Sequence, residues 1–245
     1  GRTPRYGLHL DHNRRATRRY RVEFEPQHLA DWGALGGIVG ARAGSYWEVP
    51  VIEGIDSPPG SDEMKHMGAA MASYGSVPLF HVVGVTPEAA TLDAVCDPSR
   101  LEAESVTHSD LEKFLARYDG KGEKVDVVVF SAPQLSLLEM QSLAELLDDR
   151  KVHRDTSLLA VTSPAVAADA RRLGLVERIE ASGALVLEGM CFYQSYAREM
   201  AEANGWQRLM TNSVKLVNII GGYGYQPTLS SMENCVASAI AGEVL

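Results

Sequence analysis

The sequence predicts an α/β fold built on a largely parallel sheet, and three observations carry that prediction. After residue 60, short apolar runs alternate with helical segments that begin on capping residues. The run Lys124–Phe130 is β-branched and lacks polar alternation, as expected of a strand covered on both faces. No stretch of eighteen apolar residues occurs, so no membrane-spanning helix is predicted.

The elements follow in order. Ser61 caps a helix running through Tyr74, and Val77–Val85 reads as the next strand. Thr86-Pro87-Glu88 opens a helix with a capping hydroxyl, a proline at the first helical position and an acid in the first turn. Ser109-x-x-Glu112 and Ser136-x-x-Glu139 are capping boxes ahead of apolar-periodic segments. Leu158–Thr162 is a strand, followed by Ser163-Pro164 and an alanine-rich helix. Ala184–Leu187 and Arg208–Thr211 are further strands, and a closing helix runs from Ser231 to Ala241. Residues 1–60 hold less helix and more glycine, proline and aromatic side chains. They read as a segment packed on, or continuous with, a main α/β domain at 61–245, with Pro58-Pro59-Gly60 as either a linker or, equally well, a tight loop inside a single domain.

At 245 residues the chain can bury one substantial core, and 45% hydrophobic with 22% charged residues is a soluble globular composition. Three cysteines, widely spaced and without a secretory signal, argue against a disulfide framework and for the reducing cytoplasm. The net charge of −9 disfavours nucleic acid as a partner. Residues 1–21 nevertheless hold seven arginines against one acid, +6, which leaves −15 on the rest. Most of these arginines are expected to pair with the acidic body. Arg14 is the best candidate among them for gripping a carboxylate.

In parallel α/β sheets ligands bind beyond the carboxyl ends of the strands. The windows of interest are therefore His81–Glu88, Ser131–Ser136, Glu188–Cys191 and Thr211–Lys215. Cys191 follows a strand and Cys235 lies near a helix start, both positions where a thiolate can be stabilised. Isolated cysteines are more often small buried hydrophobes, and Cys96 reads as one. Asn212, Ser213 and Lys215 bring a neutral donor, a hydroxyl and a cation to one strand end, which suits a carboxylate and a proton acceptor beside it. A tight turn with a surface lysine explains them equally well. His81 stands five residues before the helix expected at Thr86, and His9 and Asp11 would share one face of a strand. These residues alone yield an α/β enzyme and no reaction.

Several segments, in order, resemble the catalytic part of the aconitase X family. They are Gly1-Arg2-Thr3-Pro4, His9-Leu10-Asp11-x-Asn13-Arg14, Lys65–Ala70, His81–Ala89, Thr211–Lys215 and Glu233-Asn234-Cys235-Val236. The resemblance implies an aconitase-like layered α/β fold and a hydro-lyase acting on a small hydroxy acid. It also implies an iron–sulfur cluster, [2Fe-2S] or [4Fe-4S], on three cysteines. Cys191 and Cys235 match two ligands; the third is expected outside this chain, which corresponds to a start in mid-subunit. A small swivelling domain or subunit is the implied partner and a possible source of the base.

Among site residues, Arg14, Asn13, Asp11, Asn212 and Thr86 are then expected to bind substrate, and Ser213, Lys215, His81 and Glu88 to orient it or relay protons. Cis-3-hydroxy-L-proline is the preferred substrate, mevalonate 5-phosphate the alternative, and an inactive fragment serving as a binding subunit the competing class. Three departures favour a distinct substrate branch: Ser131-Ala132-Pro133-Gln134 for Gly-x-Pro-His, Gly189-Met190 for Asp-Thr, and Leu216-Val217-Asn218-Ile219 for Tyr-Ala-His-Tyr.

Overall fold

Every strand pairing within the sheets is parallel, and the strands fall into two separate sheets, as a computed structural model describing residues 1–245 shows. The chain forms two compact units: residues 1–27 with 31–114, and residues 28–30 with 115–245. Pro58-Pro59-Gly60 lies inside the first unit, as a loop and not a linker between units, and the division falls near residue 115.

The first unit is built on strands β1 (Arg18–Glu23), β2 (Pro50–Glu53), β3 (His81–Val82) and β4 (Ala103–Thr107), in the order β3-β2-β1-β4. Its helices are α1 (Leu29–Ala43), α2 (Ser61–Gly75), α3 (Leu92–Val95) and α4 (His108–Leu115). Residues 1–60 thus contain a fifteen-residue helix that their glycine content concealed. Those glycines serve packing. A Cβ on Gly36 would lie 2.1 Å from the Met67 carbonyl oxygen, and one on Gly75 would lie 1.9 Å from that of Gly40. Only hydrogen at these positions lets α1 and α2 approach so closely.

Five sequence expectations fail here for local reasons. Gly60, not Ser61, is the N-cap of α2, and no side chain caps it. The strand expected over Val77–Val85 contracts to two residues on the sheet edge, where Pro78 has no N–H to offer a ladder. Thr86-Pro87-Glu88 opens no helix. The Thr86 hydroxyl turns back, donating to Val82 O at 3.1 Å and accepting from Val82 N at 3.0 Å, and this closes a turn. The capping box expected at Ser109/Glu112 forms two residues earlier, between Thr107 and Asp110. His9 and Asp11 sit in consecutive 3₁₀ turns, so they share no strand face. The basic arm pairs largely as expected, with Arg18 on Glu48 and both Arg19 and Arg21 on Glu53.

The second unit holds β5 (Val127–Leu135), β6 (Ser157–Thr162), β7 (Leu185–Glu188), β8 (Arg208–Thr211) and β9 (Gln226–Leu229), in the order β7-β6-β5-β8-β9. Its helices are α5 (Leu137–Leu147), α6 (Pro164–Arg172), α7 (Leu175–Ala181), α8 (Ala197–Asn204), α9 (Val214–Ile220) and α10 (Met232–Ala241). The unbroken apolar run of β5 has the predicted cause. Val128 and Phe130 enter a core with α5, α7 and α10, while Val127 and Val129 enter another with α8 and α9. The Ser136/Glu139 capping box forms as read, and the helices expected after Ser163-Pro164 and from Ser231 begin on those serines as their caps.

Candidate functional site

In the second unit the strand order reverses at β5: connections run outward through β6 to β7, then return to β8 and continue to β9. The carboxyl ends of β5 and β8 are therefore the place where neighbouring connections diverge and leave a crevice. Sequence periodicity could not show this, because strand order is set by long-range pairing.

The residues at that point are Ala132–Gln134 from β5 and Asn212–Lys215 from the β8–α9 turn. Ser213 is the N-cap of α9. Its hydroxyl accepts from Leu216 N at 3.1 Å and donates to Ala132 O at 2.6 Å. The Ser213 hydrogen is thus committed to holding β5 beside β8. Asn212 is only 2% exposed, and its Nδ2 has no hydrogen-bond partner. An orphaned donor of this kind costs about 1–3 kcal/mol, so it marks a position that awaits an acceptor. Lys215 follows in the first turn of α9, half-buried.

The loop after β7 folds over the same end of β5. Gln134 Nε2 donates to Met190 O at 2.9 Å, and Phe192 N donates to Ser131 Oγ at 3.4 Å. Cys191 lies between these two anchors, half-buried, against the core that Val127 and Val129 enter. Burial pushes the Tyr193 hydroxyl up, and the Cys191 thiol within hydrogen-bonding reach pushes it further. Cys235, in the first turn of α10, belongs to the opposite core and is 0% exposed. Its Sγ lies 3.9 Å from Ser230 O, and burial pushes its thiol far above the ordinary range. The two cysteines therefore pack against different hydrophobic cores. No three His, Cys, Asp or Glu side chains of this chain converge as a metal site.

The remaining predicted residues lie in the first unit, around a cavity of about 350 Å³ lined by Asp11, Arg14, Arg15, Glu88, Ala94 and Val95. Segments 11–15 and 94–95 lead into strands, so this cavity is not of the expected carboxyl-end type. Arg14 donates through Nε to both Glu88 oxygens, at 2.9 and 3.0 Å, and through Nη2 to Oε1. That ion pair lowers the Glu88 carboxyl below the ordinary range and raises the Arg14 guanidinium. His81 is 1% exposed, and its Nε2–H donates to Arg14 O at 2.7 Å. With no helix at Thr86, His81 is a satisfied core histidine rather than a group beside a helix dipole. Asn13 Nδ2 donates to Gly7 O at 2.9 Å, so Asn13 and Thr86 hold backbone in place. Sequence reasoning passed over Arg15 and Gln134 as site residues. Arg15 was signalled only by adjacency to Arg14, and Gln134 by its place in the Ser131–Ser136 window.

Residues 16–116 match the family model described as the aconitase X second domain, and residues 125–241 the one described as the aconitase X third domain. The chain is 34% identical over 240 residues to the phosphomevalonate dehydratase large subunit of Thermococcus kodakarensis, covering 98% of this chain and 59% of that protein. It is 32% identical over 249 residues to the cis-3-hydroxy-L-proline dehydratase of Pseudomonas aeruginosa, covering 99% of this chain and 42% of that one. A crystal structure of Thermococcus kodakaraensis aconitase X in its holo-form superposes with a TM-score of 0.86 at 32% identity, covering 97% of this chain and 58% of the other. The chain thus spans 42–59% of the length of these two curated relatives. No helix is long and apolar enough to cross a membrane.

Proposed function

The chain belongs to the aconitase X family, and from that premise we propose that it is the catalytic part of a hydro-lyase that removes water from a small hydroxy acid, cis-3-hydroxy-L-proline first. The observation that carries the reading is the unpartnered amide of Asn212, buried at the point where the sheet reverses its order. An acid substrate supplies the acceptor that Asn212 lacks. The half-buried Lys215 one turn on supplies the counter-charge for its carboxylate.

The roles follow from geometry. Asn212 Nδ2 and Lys215 Nζ would hold the carboxylate, and so stabilise the charge that accumulates when the neighbouring carbon loses its proton. Ser213 serves by position: its bond to Ala132 O fixes the turn that presents both neighbours. The base comes from outside the residues gathered here, in keeping with a small swivelling domain or subunit as partner.

An iron–sulfur cluster suits the donor chemistry at this end of the sheet, where Cys191 follows β7 and Cys235 follows β9. When bound, such a cluster supplies a Lewis-acidic iron that eases the departure of the hydroxyl. Cys191 would be the more accessible ligand. Cys235, whose thiol burial pushes up, would need a metal's charge to ionise, and a third ligand would have to come from beyond this chain.

Mevalonate 5-phosphate is the second reading, favoured by identities of 34–36% to three phosphomevalonate dehydratase large subunits. The deciding experiment is an anaerobic assay of the assembled enzyme, with the rest of the subunit and its small partner, on both compounds. Formation of pyrroline-2-carboxylate supports the first reading, and dehydration of the phosphate ester alone moves the assignment to the second. Absence of turnover on either, with no iron bound, leaves a binding subunit.

A further inference from the structure

The Arg14–Glu88 pair stands over a cavity far larger than an ion pair requires, and its two partners are held very differently. Besides its pairing with Glu88, Arg14 is fixed at two points. Its carbonyl accepts from the buried His81 ring at 2.7 Å, and its Nη1 donates to Leu8 O at 3.0 Å. Glu88 has no comparable anchor. It rides on the turn between Gly84, whose N–H donates to Ala89 O at 2.8 Å, and Ala89 itself, and its side chain is 45% exposed against 31% for Arg14. If one partner moves, it is the carboxylate.

Charge points the same way. Asp11, Arg14, Arg15 and Glu88 sum to zero around the cavity. With Glu88 turned into solvent the sum becomes +1, and a bidentate guanidinium fork faces a space of about 350 Å³ bounded on one side by Ala94 and Val95. An exposed ion pair contributes little stability, at most about 1 kcal/mol, so breaking it is inexpensive for the fold. The same fork geometry serves carboxylate and phosphate oxygens alike.

We infer that this cavity is an anion site in which Glu88 acts as a resident stand-in, displaced from Arg14 by the carboxylate or phosphate end of a small acid. The inference takes the chemical class of the ligand from the acid substrate proposed above, yet its test needs no turnover. The depressed Glu88 carboxyl accords with it, since Glu88 is held as an anion in the position a ligand anion would take.

The test is a titration of the full chain with acetate and, separately, inorganic phosphate, followed by NMR of the arginine Nε–Hε signals and by calorimetry. In the unaltered protein both probes should bind weakly and shift the Arg14 signal. Glu88→Gln keeps a polar group but gives up the competing charge, and should tighten binding by about two- to fivefold, the worth of one exposed charge pair. Glu88→Ala should do the same by a different route, and Arg14→Gln should abolish the effect in either background. A greater gain for acetate assigns the site to a carboxylate end, and a greater gain for phosphate to a phosphate end. Unchanged affinity in both Glu88 variants overturns the inference, and so does tightening that survives Arg14→Gln. Neither result depends on whether the assembled enzyme turns over a hydroxy acid.

Discussion

The Ser213 hydroxyl donates to the Ala132 carbonyl at 2.6 Å while it accepts from Leu216 N, so one side chain caps α9 and ties β8 to β5. Ser213→Ala removes both bonds and leaves a buried carbonyl without its donor. We expect a loss of about 1–3 kcal/mol in urea unfolding, combining a lost cap with a lost buried bond. A change below about 0.5 kcal/mol would mean that water or a neighbouring N–H replaces the serine.

Asn212 should behave in the opposite way. Because its Nδ2 has no partner in the fold, Asn212→Leu removes a desolvated donor without breaking a bond. Stability should hold or rise by up to about 1 kcal/mol, while KM of the assembled enzyme for its acid substrate rises tenfold or more. A variant that unfolds more easily and binds substrate normally would return Asn212 to a structural role.

Glycine replacements separate close packing from mere turn chemistry. Gly36→Ala places a methyl 2.1 Å from the Met67 carbonyl oxygen, a backbone atom that yields only if α1 and α2 part. The expected cost is about 1–3 kcal/mol or more, read from the thermal midpoint. Gly221, with φ −57°, ψ −33° and nothing within 4 Å of an added Cβ, should accept alanine with a gain of about 0.4–1 kcal/mol.

Asp126 predicts a pH dependence with a definite sign. Burial pushes its carboxyl up, but the Lys124 ammonium at 2.8 Å and the N–H groups of Arg208 and Gln207, both at 2.9 Å, outweigh burial and hold it below the ordinary range. Folded below unfolded, its contribution is complete above the unfolded value near pH 4 and is lost as pH falls through the folded one. Asp126→Asn should therefore cost about 1–3 kcal/mol at pH 7 and less at pH 3. A deficit that stays constant across that range would reject the linkage.

Much of the second unit was legible in the sequence, because its signals are local. Caps at Ser136, Ser163 and Ser231 and the strand at Arg208–Thr211 stand where residue chemistry put them. The first unit was harder to read. Its longest early helix is rich in glycine for the sake of a neighbour it meets thirty residues later, and no local rule encodes that meeting. Thr86 had two uses for its hydroxyl, a forward cap or a backward turn, and the chain took the second. The sequence named candidate residues but not their arrangement. The positions of Cys191, Asn212 and Ser213 relative to β5 depend on strand order, and the burial of Cys235 depends on which side of the sheet α10 covers.

The two-sided burial of β5 bears on how the sheet keeps its alignment. A strand that is apolar on one face and polar on the other cannot slide by one residue, since the slip would drive polar groups inward. Val127 to Phe130 carry no such safeguard, for either set of side chains is at home in either core. Alignment with β8 falls instead to two polar clips, one just before the strand and one within it: the Asp126 carboxylate on the N–H groups of Gln207 and Arg208, and the Ala132 carbonyl under Ser213. Cut both, and a sheet one residue out of step would hide as much apolar surface as the native one. Hydrophobicity closes this unit, and a few hydrogen bonds decide in which alignment it closes.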